Sequence, residues 1–92
     1  MVFYSEDIEQ FIVPYSVQLT PDKTNKNLTI SFMGDVVFGQ INISDSTGNN
    51  LYNGIFDQQS VIVSILNYKP GTYNVEISAN TGKLFRTFTV LD

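Results

Sequence analysis

Catalysis needs a group that trades protons near neutral pH, an activated nucleophile, or a metal held by converging ligands. This 92-residue chain has no His and no Cys. Imidazole bases, thiol nucleophiles, disulfides and most zinc sites are therefore removed together. The carboxylates remain. Asp45-Ser46-Thr47-Gly48 comes nearest to a catalytic signature. A proton-sharing aspartate dyad is assembled from two Asp-Thr/Ser-Gly loops. Here one residue is inserted and there is no second copy. The stretch 45–50 reads instead as a strand-connecting turn, with an Asx-type start and a Gly free to take positive φ. Glu6, Asp7 and Glu9 cluster three carboxylates, but without the carbonyl-rich, Gly-containing loop that calcium prefers. Glu76 could face Asp35 or Asp57 across a cleft only by accident of fold. There is no Ser-x-x-Lys and no Gly-rich phosphate loop. Asn27-Leu28-Thr29 and Asn42-Ile43-Ser44 fit the N-glycosylation pattern but read as polar strand faces. The expectation is a non-enzymatic chain with no catalytic residue, no cofactor and no metal.

Recognition chemistry is better represented. Five Tyr and seven Phe are an aromatic excess for this length. Strand parity assigns Phe32, Tyr73 and Phe88 to a core. It puts Phe38 outward on the third strand and Phe85 outward on the last, while Tyr52 and Phe56 share one face of the fourth. These strands belong to one sheet in an immunoglobulin-like sandwich. Phe38, Tyr52, Phe56 and Phe85 are therefore the candidate partner-binding patch, since a large exposed apolar patch usually marks an interface. The occupant expected is another envelope protein or a second copy of the chain, with carbohydrate stacking less favoured. The competing expectation is that an N-terminal arm, with Phe3, Tyr4 and Phe11, covers the patch. A net charge of −4 and five scattered basic residues argue against nucleic acid and against an anionic membrane surface.

Those side chains need strands to carry them, and the clearest is announced by a turn. Pro70-Gly71 opens into strict alternation, with Tyr73, Val75 and Ile77 on one side and Asn74, Glu76 and Ser78 on the other. A Tyr at such an entrance returns its hydroxyl to backbone a few residues upstream, at the corner between two sheets. Tyr15–Thr20 alternates and stops at the turn pair Pro21-Asp22. Leu28, Ile30 and Phe32 form a second inward row. Val37, Gly39, Ile41 and Ile43 form a third, with Val36, Phe38, Gln40, Asn42 and Ser44 outward. Gly39 there implies a bulge or a close approach. Leu51–Phe56 is a short strand interrupted by Asn53-Gly54. Val61–Leu66 is apolar on both faces, so it reads as a central strand or one covered twice, and as an aggregation window. Asn80-Thr81-Gly82 is a hairpin turn. Leu84, Phe88 and Val90 line the last strand. Arg86 falls in their inward row, so a bulge shifts the register or the guanidinium snorkels at the rim.

No segment shows a capped 3.6-residue period. Seven short strands with turn signals every roughly 8–12 residues predict an all-β, immunoglobulin-like Greek-key sandwich over residues 15–92, preceded by the arm at 1–14. No apolar run reaches the roughly 18 residues that span a bilayer. The first residues lack a basic region and a small-residue cleavage site, so Met1 is expected to stand where a leader has been removed.

The recurring pieces are Leu28-x-Ile30, Ile41-x-Ile43 followed by Asp45 and Gly48, Leu51-Tyr52, Val63-x-Ile65, Gly71-x-Tyr73-x-Val75-x-Ile77, and Gly82-x-Leu84 closing on Phe88-x-Val90. This pattern, over roughly residues 15–92, resembles a family of small secreted immunoglobulin-like proteins of the Bacteroidetes, catalogued as a domain of unknown function. It is also similar to the C-terminal sorting domain of the type IX secretion system. That domain usually opens with Pro-Asn-Pro and ends on a basic residue. Here Pro21-Asp22-Lys23 and Val90-Leu91-Asp92 depart from both features and favour the stand-alone family. The resemblance implies a sandwich fold and a secreted or cell-envelope location, and no activity. The alternative it leaves open is a structural or secretion-sorting module of a larger exported protein.

Overall fold

The computed structural model describes the backbone of residues 2–5 and the whole of residues 13–91. Among the described residues there are eight strands: β1 (Val2–Ser5), β2 (Tyr15–Asp22), β3 (Asn27–Gly34), β4 (Gly39–Asp45), β5 (Asn50–Phe56), β6 (Ser60–Ser64), β7 (Gly71–Ala79) and β8 (Gly82–Val90). They form a five-stranded sheet in the order β1-β8-β7-β4-β5 and a three-stranded sheet in the order β2-β3-β6. Every pairing is antiparallel. All seven expected strands occur, and the chain crosses between sheets as a Greek key does.

Alternation drives this layout. On β2, β3, β4, β7 and β8 the alternate residues are chiefly apolar, with Arg86 of β8 the charged exception, so one face of each sheet is oily and must find a partner face. Leu28, Ile30, Ile41, Ile43, Val75, Ile77 and Phe88 are fully buried between the sheets. Phe32 of β3 stacks on Phe56 of β5 with ring centroids 4.1 Å apart, joining the two layers. Tyr73 donates its hydroxyl to the Lys69 carbonyl, four residues upstream. The expected corner is therefore in place. A second tie runs between the sheets where the Tyr15 hydroxyl donates to the Gly82 carbonyl at 2.8 Å.

Five expectations change. Residues 2–5 were placed in an arm, but they pair in register with β8, Val2 opposite Val90 and Ser5 opposite Thr87. The sheet edge offers unpaired backbone groups, and pairing satisfies them. Pro21-Asp22 does not end its strand. β2 lies at a sheet edge, where Pro is tolerated, and the turn comes after Asp22, which accepts from the backbone of Thr24 and Asn25. Val36 and Val37 exchange places: Val36 packs on the core and Val37 is exposed. The cause is a loop before β4, held off the strand where the Val37 and Phe38 amides donate to Asn80 Oδ1 at 3.1 and 3.3 Å. The apolar run 61–66 is not central. β6 is an edge strand, with Val63 and Ile65 buried and Ile62 and Leu66 in solvent. Arg86 neither slips nor snorkels. The β7–β8 register is unbroken from Gly71 to Ala79, and Arg86 is buried, with Nη1 donating to the Phe85 carbonyl at 3.0 Å.

Candidate functional site

The four aromatic residues of the expected patch do not converge. Their strands do share the five-stranded sheet. Phe56, however, is 2% exposed and stacked on Phe32 in the core. Tyr52 is half-buried on that same inward face, its ring lying over Gly54. Phe38 is exposed but sits in the loop before β4, at one end of the sandwich. Phe85 alone is outward on the sheet, 44% exposed. Parity could not orient β5 because the β4–β5 register shifts between Ile43 and Ser44, leaving Leu51 as an extra residue. Ile55 and the bulged Leu51, not Tyr52 or Phe56, are the exposed apolar residues of that strand. Residues 2–5 lengthen the sheet by edge pairing, and the Phe3 and Tyr4 side chains of the expected covering arm lie outside the described residues. Phe11 and the acidic triplet Glu6, Asp7 and Glu9 lie outside the described residues.

What the outward face does carry is a groove of about 550 Å³, lined by Asn42, Ser44, Asn50, Asn74, Glu76 and Phe85 together with Gly48 and Arg86. Alternation along β4 and β7 places Asn42, Ser44, Asn74 and Glu76 there. The Leu51 bulge restores Asn50 to the same row, directly opposite Ser44. The Glu76 carboxylate takes the Lys83 ammonium at 3.3 Å. Among the described residues, the side chains of Asn42, Ser44, Asn50 and Asn74 hydrogen-bond to no protein group. Their donors and acceptors are left to water or a ligand. Sequence reading placed four of these polar residues outward but did not join them into a site. The signal was the run of amides on two adjacent strands where Thr or Ser would have served a solvated face equally well.

A second hollow, of about 490 Å³, lies at the end of the sandwich between the β4–β5 turn and the Tyr73 corner. Its Asp45, Thr47, Thr72 and Tyr73 side chains are already engaged within the turn, the sheet and the corner. Asp45 Oδ1 accepts from the Thr47 hydroxyl at 2.7 Å and from the Thr47 and Asn49 amides at 2.9 and 3.0 Å. These bonds, the Thr47 hydroxyl first, hold the Asp45 carboxyl below its ordinary range. Tyr68 packs against Tyr73 at 5.0 Å. Burial, then the neighbouring Tyr73 and Tyr52, pushes its phenol above its ordinary range and keeps it neutral. This hollow is the outside of a structural corner. Among the described residues no group of three or more acidic side chains is placed to hold a metal ion.

The family model described as "Domain of unknown function (DUF3244)" matches residues 4–90. The chain belongs to the DUF3244 family. A crystal structure of a DUF3244 protein from Bacteroides vulgatus, described as having an immunoglobulin-like β-sandwich fold, superposes with a TM-score of 0.69 at 21% identity. It covers 86% of this chain and 96% of its own. That likeness speaks for the fold. A search of curated proteins finds no match. Within this DUF3244 domain, the residues that carried the resemblance, from Leu28 to Val90, are chiefly inward strand positions and turn glycines. Among the described residues no helix is long and apolar enough to cross a membrane.

Proposed function

We propose that this DUF3244 domain is a non-enzymatic binding module, exported to the cell envelope or beyond, that presents the outward face of its five-stranded sheet. The observation that carries the reading is the groove of unspent side chains. Four polar residues on three neighbouring strands line one depression, and among the described residues their side chains find no protein partner. Polar groups that serve only to keep a sheet wet need not converge on a hollow beside an exposed aromatic ring. The absence of His and Cys from the chain, and the engagement of Asp45 and Glu76 in a turn and an ion pair, favour binding over turnover.

The test is a pull-down from a native envelope fraction, with Asn74→Ala/Phe85→Ala as the control bait. A component held by the native domain and lost by the variant supports the reading. Equal capture by both baits, or none by either, overturns it. Cell fractionation tests the location, and a cytoplasmic signal alone would sink the export part. A secretion-sorting role is the second reading, motivated by the Gly71-x-Tyr73 corner and the strand rhythm shared with sorting domains. A reporter that stays inside the cell when fused to this domain would remove it.

A further inference from the structure

We infer that the outward groove binds a neutral oligosaccharide, lying across β8, β7, β4 and β5 with the apolar face of one sugar on Phe85. The inference names the ligand class of the binding module above and rests on that reading.

Two cross-strand rows run through the floor; Asn53, whose Oδ1 already accepts from Gln40 Nε2, and Thr87 continue them beyond its lining. Phe85, Glu76, Asn42 and Asn53 stand directly opposite one another across four strands. Thr87, Asn74, Ser44 and Asn50 make the next row. Neighbouring strands are about 4.8 Å apart, close to the length of one pyranose residue. A linear glycan laid across the strands therefore meets a fresh polar side chain about once per sugar.

The chemistry of the lining selects the class. Each Asn offers a carbonyl acceptor and an amide donor side by side, which matches a pair of adjacent hydroxyls. Three such amides are unspent within the protein. The exposed Phe85 ring supplies a flat apolar surface for the C–H face of a sugar ring. Charge excludes the alternatives. The Glu76 carboxylate is balanced by Lys83 at 3.3 Å. Arg86 is only 6% exposed and turns back onto the Phe85 carbonyl, so it does not present a cation to the hollow. Among the described residues a phosphate or sulfate would find only cations already held, Lys83 by Glu76 and Arg86 by backbone, and a metal no ligand cluster. A protein hot spot needs several apolar anchors in one desolvated centre, and the groove has one ring.

The experiment is titration of the ¹⁵N-labelled domain with three probes: neutral linear oligosaccharides (glucan, mannan and xylan series), an acidic oligouronate, and a glycan-free envelope protein fraction. Expected are shifts of the Asn42, Asn50 and Asn74 side-chain amides and of Phe85 with at least one neutral series. Phe85→Ala should then raise Kd about tenfold, and Asn74→Ala about two- to tenfold, as one lost hydrogen bond does. Phe85→Tyr should retain binding, and Leu66→Ala, outside the groove, should change nothing. Each variant's own spectrum reports whether it is folded. Shifts with the protein fraction or the oligouronate alone would overturn the saccharide and leave the binding module standing. Shifts with no probe would remove both.

Discussion

Gly39 shows how much one missing methyl can organise. A Cβ there would lie 2.5 Å from the Ser78 carbonyl oxygen and 2.8 Å from the Phe56 ring. The sequence allowed a bulge or a close approach at this position. The approach is the observed outcome, and the bulge belongs to Leu51. Because backbone is one of the obstacles, Gly39→Ala forces β4 away from β7 and displaces the Phe32–Phe56 stack. It should cost about 1–3 kcal/mol, the range of an overpacked core, read as a lower urea midpoint with an unchanged slope. Asp45 makes a different prediction. Its carboxyl is held below its ordinary range in the folded chain, so its contribution to stability is complete above that range and is lost as pH falls through the lowered value. Asp45→Asn should lower Tm near neutral pH, and the gap to the native protein should close on acidification. Parallel Tm–pH curves would show that the turn draws nothing from the charge.

At the scale of elements, alternation could be read wherever a strand has one wet face. β2, β3, β4, β7 and β8 each kept the facing their pattern implied, and their inward residues form the core. The pattern failed on two strands for two physical reasons. On β5 an extra residue changes the parity partway along, and no single-chain pattern marks which residue is extra. On β6 the outward positions are apolar without being covered, so composition suggested a burial that topology does not supply. Most of the candidate site was readable on the same grounds. Asn42, Ser44, Asn74, Glu76 and Phe85 were outward by alternation, whereas Asn50 needed the bulge. The β6 edge carries its own prediction. Ile65 N–H bonds to the Lys26 carbonyl and Phe32 N–H to the Gln59 carbonyl. Alternating from these pairs, the backbone groups of Ser60, Ile62 and Ser64 point to the free edge, beside an Ile62 side chain that is 66% exposed. A charge there should block edge-to-edge strand addition. Ile62→Lys should slow aggregation on mild heating, followed by light scattering, while changing stability by no more than about 0.5 kcal/mol.

For the whole molecule, the decisive property is how far apart in sequence the paired strands lie. β1 closes on β8, β3 on β6 and β4 on β7, so beyond the hairpins β2–β3, β4–β5 and β7–β8 the sheets cannot be completed before long loops are shut. Folding should take milliseconds to seconds, as all-β sandwiches do, rather than microseconds. Stopped-flow tyrosine fluorescence can follow it, since the chain has five Tyr and no Trp. A refolding relaxation complete within the instrument's dead time would contradict the topology. The pairing of β1 with β8 also has a mechanical meaning. Val2 stands opposite Val90, so the two ends of the chain leave the sheet side by side. Tension applied between them would load the terminal rungs one after another, as a zip is opened, instead of shearing all four at once. A tether that passes through this domain would let go of its first strand at low force, and the remaining sheet would still hold the groove.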